Sequence, residues 1–172
     1  MAQSLSNAGI HETWEQAAQL ASSPYMVSRT HFGRVLIERG VCSNMQDVFQ
    51  RFLIHGRPGY VSTDWASLKE AVGWINGAGG VAVLAHPGRY RLDAMRQTEL
   101  LKAFCQSGGK AIEVVSGSQG SDLTRYWFDL ALKYGLQASR GSDFHAPNEG
   151  RYDLGEVPSL PSGIEPVWRH WV

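Results

Sequence analysis

Three times in succession this chain passes from a helical pattern through a glycine break into a short apolar run, and that cycle restricts the fold more than any other feature. Ala66 to Asn76 carries Leu68, Val72 and Ile75 on one side of a helix, and Gly77-Ala78-Gly79-Gly80 interrupts it. Val81 to Ala85 follows as an uninterrupted apolar run, the pattern of a strand covered on both faces. Leu92 to Gln106 is again helical, Gly108-Gly109 breaks it, and Ala111 to Val115 reads as a strand. Ser121 N-caps a helix through Tyr134, Gly135 ends it, and Leu136 to Ser139 is a strand. Units of this kind predict parallel strands with helical crossovers. A closed barrel and an open α/β sheet both fit.

Up to about residue 60 the chain reads instead as helices with tight stops. Ser28 N-caps a helix through Arg39, with Gly40 as its stop. Ser43-Asn44-Met45-Gln46 has capping-box spacing and opens a helix through Leu53, with Met45, Val48, Phe49 and Phe52 on one face. Met1 to Ser23 also reads as helical. With 172 residues, 43% of them hydrophobic, the chain is one domain or a piece of a larger one. Sixteen basic residues balance 16 acidic ones, which argues against a global field for nonspecific nucleic-acid binding. Cys42 and Cys105 form no C-x-x-C pair and read as free thiols of a reducing compartment. With no secretory segment and no apolar run of membrane-spanning length, the expectation is a cytoplasmic protein with no membrane partner.

In parallel α/β folds, functional residues gather at the C-terminal ends of strands. His86 follows the first strand, Ser116 the second, and Asp143 and His145 the third. One carboxylate and two imidazoles on one rim suit Zn, Mn or Fe, and a metal so held can deliver hydroxide at neutral pH. A His-Pro after a strand and an Asp-x-His are each common as loop residues; their joint placement is what favours a site. Asp143 and His145, two apart, either point one way in an extended segment or serve different metals from a turn. Arg29-Thr30-His31 opens a helix, where an anion is favoured, although a solvated Arg29 and a packed His31 fit equally well. Arg89 follows His86-Pro87 closely enough to lie near the rim. His11 and His170 read as surface residues, His55 is a weaker ligand candidate still, and the six tryptophans read as packing. Trp168 and Trp171 read as a docking face for the C-terminus.

Four segments together resemble the polymerase-and-histidinol-phosphatase (PHP) metallophosphoesterases, in the branch of nucleoside 3′,5′-bisphosphate phosphatases and the 5′→3′ exoribonuclease ribonuclease AM. They are Ser28-Arg29-Thr30-His31-Phe32, Gly56-Arg57-Pro58-Gly59-Tyr60-Val61, Gly79-Gly80-Val81-Ala82-Val83-Leu84-Ala85-His86-Pro87-Gly88-Arg89-Tyr90 and Gly141-Ser142-Asp143-Phe144-His145. The resemblance implies the C-terminal part of a distorted seven-stranded β/α barrel (residues 61–172), preceded by part of a helical insertion (residues 1–60). It implies divalent metals, three per intact site, with Mn²⁺ first and Zn²⁺ or Fe²⁺ as alternatives. His86, Asp143 and His145 would each serve a different metal. Arg29, His31 and Arg89 would contact the phosphate of a nucleotide or RNA 5′ end. Metal-bound hydroxide would then hydrolyse the ester.

The family's opening His-x-His motif and the ligands that follow it are missing. The expectation is therefore a C-terminal fragment, with Met1 an internal methionine, an apolar edge on its first strand, weak metal binding and little activity alone. Two rivals stand beside it: a non-catalytic module that binds a nucleotide or partner, and one half of a split enzyme whose N-terminal half is another polypeptide. The oligomeric state stays open.

Overall fold

Ala111–Ser116 (β2) is the middle strand of a three-stranded parallel sheet in the order β1-β2-β3, with Val83–Leu84 (β1) and Gln137–Gly141 (β3) on either side. The computed structural model describes residues 1–117, 119–145, 147 and 151–171, with the side chain of His170 outside that description. By its contacts the chain divides into two units, Met1–Asp64 and Trp65–Val172.

In the second unit the helix–glycine–strand cycle takes the form the sequence predicts. Helices Leu68–Gly77 (α5), Ala94–Gln106 (α6) and Ser121–Tyr134 (α7) precede β1, β2 and β3 in turn. Ser67 caps α5 in a reciprocal box: its Oγ accepts from Glu70 N–H, and the Glu70 carboxylate accepts from Ser67 N–H at 2.9 Å. Asp93 caps α6. Gly135 ends α7 in the left-handed region, at φ 63°. Ile112, Val114, Val115, Trp127, Phe128 and Ala131 form the centre of the core, burying α7 against the sheet.

Three expectations need correction. Val81 to Ala85 is not a strand covered on both faces. Burial alternates along it, with Ala82 and Leu84 buried and Ala85 exposed, and β1 keeps two paired residues at the edge of the sheet. The N-caps of α7 and of the helix after Ser43 sit one residue away from the expected serines, at Gly120 and Asn44; Asn44 Oδ1 accepts from Asp47 N–H at 2.9 Å. Trp127 is buried, whereas Trp65, Trp74 and Trp171 are largely exposed; Val167, not the tryptophan pair, is the buried residue of the C-terminal turn.

The parallel register carries one irregularity. Glu113 pairs with Ser139 and Val115 with Arg140, so Val114 is an extra residue on β2. Cross-strand partners share a face. Glu113 opposite Ser139 and Ser116 opposite Gly141 therefore lie on the same side, although an odd separation would put them on opposite sides of a regular strand.

The first unit is helical. It comprises Ala2–Asn7 (α1), Thr13–Leu20 (α2), Arg29–Glu38 (α3) and Met45–Val48 (α4), the last continuing as a π-helical turn over Phe49–Leu53. Leu5, Ala17, Phe32, Val35, Leu36, Val48 and Leu53 make its core. Among the described residues no helix is long and apolar enough to cross a membrane. Cys42 and Cys105 are free thiols.

Candidate functional site

The rim at the C-terminal ends of the strands is tied together by a chain of hydrogen bonds. Glu113, on β2, accepts the backbone N–H of His86 on Oε2 at 2.6 Å. His86 O accepts from Arg89 N–H at 3.0 Å, closing the short turn Pro87–Arg89. Arg89 Nη1 donates to Asp143 Oδ2 in an ion pair that joins the end of β1 to the end of β3. His145 Nδ1 then lies 2.7 Å from the carbonyl oxygen of Asp143. His86, Arg89, Asp143 and His145, picked out from different stretches of sequence, thus occupy one rim.

Local backbone geometry supports this placement. Among the described residues, His86 and Asp143 are two of three non-glycine residues with positive φ, at 29° and 57°. A residue with a Cβ pays about 1–2 kcal/mol for that conformation, so surrounding contacts must hold it. For His86 they are the Glu113 bond, the adjacent Pro87 and the ring of Tyr90, which meets the imidazole edge-on at 6.1 Å. Tyr90 is itself fixed by its hydroxyl, which donates to Ala85 O at 2.8 Å. At the other end, Gly117 lies so close to Ser142 that a Cβ there would stand 2.0 Å from the Ser142 carbonyl oxygen. Only glycine lets the end of β2 and the Ser142-Asp143 segment run side by side.

The imidazoles differ in what they can offer. His145 donates its Nδ1 proton to the Asp143 carbonyl in its neutral form, which leaves Nε2 with a free lone pair. His86 Nδ1 is buried with no hydrogen-bond partner among the described residues. An orphaned ring nitrogen, a second imidazole with Nε2 unprotonated and a carboxylate are a donor set that suits a divalent transition metal. Among the described residues, however, no three His, Cys, Asp or Glu side chains gather where they could share one ion. The residues therefore fit metal binding as separate donors, not as one complete coordination group.

Glu113 was not singled out from the sequence, although a charged residue inside the run Ala111-Ile112-Glu113-Val114-Val115 was a signal. It is 8% exposed. Burial pushes its carboxyl above the ordinary range, and nearby Asp143 pushes the same way. The His86 backbone N–H, the His86 ring and the Ser116 hydroxyl pull it back down.

Arg29 and His31 belong to the first unit, at the start of α3, and Arg29 is exposed. His31 has a local task that its sequence position did not disclose. Its Nδ1 accepts the Ser28 N–H at 2.9 Å in a capping box, so the neutral ring carries its proton on Nε2. What His31 can offer an external group is a donor, the polarity that a phosphate oxygen requires. His11 is exposed and lies 2.8 Å from Ser6 Oγ; His55 is exposed with its ring edge on Tyr60. The reading of His170 as a surface residue falls on a side chain outside the described residues.

No protein-family model matches the chain. It is 47% identical over 169 residues to a 3′,5′-nucleoside bisphosphate phosphatase of Chromobacterium violaceum, covering 98% of this chain and 59% of that protein. It is 40% identical to the 5′-3′ exoribonuclease Rnm of Escherichia coli, covering 99% of this chain and 58% of that protein. Among solved structures, an amidohydrolase from Chromobacterium violaceum with bound sulfate and no metal superposes with a TM-score of 0.90 at 46% identity, over 98% of this chain and 58% of that one. A protein from Bifidobacterium adolescentis assigned as a metal-dependent phosphoesterase superposes with a TM-score of 0.66 at 25% identity, over 90% of this chain and 52% of that one. The chain thus spans a little over half the length of the relatives it matches.

Proposed function

We propose that this chain is part of a PHP-type, metal-dependent phosphoesterase that hydrolyses phosphate esters of nucleoside 3′,5′-bisphosphates or of RNA 5′ ends. The observation that carries the reading is the continuous rim from His86 through Arg89 to Asp143 and His145. The names of the relatives, a bisphosphate phosphatase and an exoribonuclease, supply the substrate class. On this reading the parallel sheet is part of the distorted β/α barrel, and residues 1–60 are part of its helical insertion.

His86, Asp143 and His145 would hold divalent metal, Mn²⁺ first, one donor to each of three ions. Metal bound there supplies Lewis acidity towards the phosphate and the attacking water. The chain's own residues do the rest. The Asp143 carbonyl fixes the tautomer of His145. Arg89, 55% exposed, holds the Asp143 carboxylate on one side and presents the rest of its guanidinium to solvent, where a phosphate oxygen can be met. Arg29 and the Nε2–H of His31, in the first unit, would be phosphate contacts in their own right.

With one protein donor per ion, the reading calls for further donors from water or from polypeptide corresponding to the part of the relatives that this chain does not span. Adenosine 3′,5′-bisphosphate and Mn²⁺ give the test. The chain alone is expected to turn over little or no substrate, and turnover should appear when a polypeptide supplying the remaining length is joined or added. In that longer protein His86→Ala with Asp143→Ala should abolish turnover. Wild-type rates in the double variant would overturn the site assignment.

A further inference from the structure

The geometry points to Glu113 as a positioning residue: it holds the end of β1 in the left-handed conformation that sets His86, and with it the turn that delivers Arg89 to Asp143. Three strand ends meet at this carboxylate. From β1 comes the His86 N–H, at 2.6 Å from Oε2. From β2 comes the Ser116 hydroxyl, placed on Glu113's side of the sheet by the extra residue Val114. On β3 the space is left by Gly141, where a Cβ would stand 3.2 Å from Glu113 Oε1.

A buried carboxylate needs such partners, because desolvation without them is costly. What it gives in return is local. His86 has φ 29° and ψ 56°, a conformation that a residue with a Cβ adopts only when neighbours enforce it. The amide that Glu113 grips belongs to that residue, and the same residue's carbonyl accepts from Arg89 N–H. One acceptor on β2 therefore fixes both the imidazole and the guanidinium of the rim. Glu113 acts through the backbone of His86, whose amide N–H donates to its Oε2.

The test uses the whole chain, ¹⁵N-labelled, with three measurements. Amide hydrogen exchange should show His86 N–H protected in the unsubstituted chain. Glu113→Gln, which keeps an acceptor, should preserve that protection. Glu113→Met, of similar size without one, should speed exchange at His86 by about tenfold or more while the buried amides of Ile112 and Ala138 stay protected. Titration with Mn²⁺, followed by broadening of the His86 ring signals, should show a midpoint raised about tenfold in Glu113→Met and restored in Glu113→Gln. A role in packing alone would leave His86 protected and the midpoint unmoved in Glu113→Met, and either result overturns the inference. Free exchange at His86 in the unsubstituted chain overturns it without any variant, so a variant that fails to fold does not remove the test. The Mn²⁺ measurement rests on the phosphoesterase reading. A protected His86 amide with no Mn²⁺ broadening in the unsubstituted chain would support the anchor and reject the metal assignment.

Discussion

At the scale of single residues, side-chain chemistry was more legible than backbone constraint. His86, Arg89, Asp143 and His145 announce themselves by type and by their place after apolar runs, and the structure brings them to one rim. Gly117 carries no chemistry and gave no signal, because its importance lies in an approach to Ser142 that only tertiary structure creates. Gly117→Ala is expected to destabilise the chain by about 3 kcal/mol, the upper part of the range for overpacking, read from the urea midpoint. A loss below about 0.5 kcal/mol would mean that the two segments can separate freely. Glu113 gives a pH prediction. Its folded-state pKa is raised above the unfolded value, so its contribution is complete below about pH 4.3 and is lost as pH rises through the folded value. Glutamine does not titrate. In a metal chelator, the stability of Glu113→Gln relative to the unsubstituted chain should therefore increase from pH 4 to pH 7. A constant difference would show that the carboxyl is ordinary.

At the scale of elements, helices were read well and strands less so. Capping chemistry is local, so Ser28 was read correctly, and Ser43 and Ser121 missed the caps Asn44 and Gly120 by one residue. Ser67 and Asp93, not singled out, open α5 and α6 by bonding a backbone N–H three residues on. Removing the α5 cap by Ser67→Ala should cost about 1 kcal/mol, measured by urea unfolding. The cap also depresses the Glu70 carboxyl, chiefly through the Ser67 hydroxyl and then its N–H. That contribution is present above the unfolded carboxyl pKa and is lost as pH falls through the lower folded one. The cost of Ser67→Ala should accordingly shrink in acid, and a cost as large at pH 3 as at pH 7 would contradict the box. Strand lengths depend on neighbours instead. Nothing in Val81 to Ala85 discloses that only Val83–Leu84 pairs, because pairing is decided by the single partner β2. The irregularity at Val114 was equally silent, being a relation between two strands and not a property of one.

At the scale of the whole molecule, the cycle of helix, glycine and apolar run identified a parallel α/β sheet, but it could not choose between an open sheet and a barrel. The sequence resemblance left the family's opening His-x-His motif unmatched, and the chain spans a little over half the length of its relatives. Since no three ligating side chains gather among the described residues, metal should contribute little to folding. Chelation is expected to leave the thermal midpoint within about 1 °C, and saturating Mn²⁺ to raise it by no more than about 2 °C. Collapse of the fold in chelator would show a tightly held ion and reject the one-donor-per-ion assignment. The extra residue in β2 also sets the phase in which the end of the strand is read. Upstream of Val114 the strand alternates in one phase and downstream in the other, like text whose reading frame shifts mid-sentence. Straightening the bulge at constant length would leave a well-formed strand spelling the wrong message at its end, with Ser116 turned away from Glu113, whereas deleting Val114 would keep the two on one side.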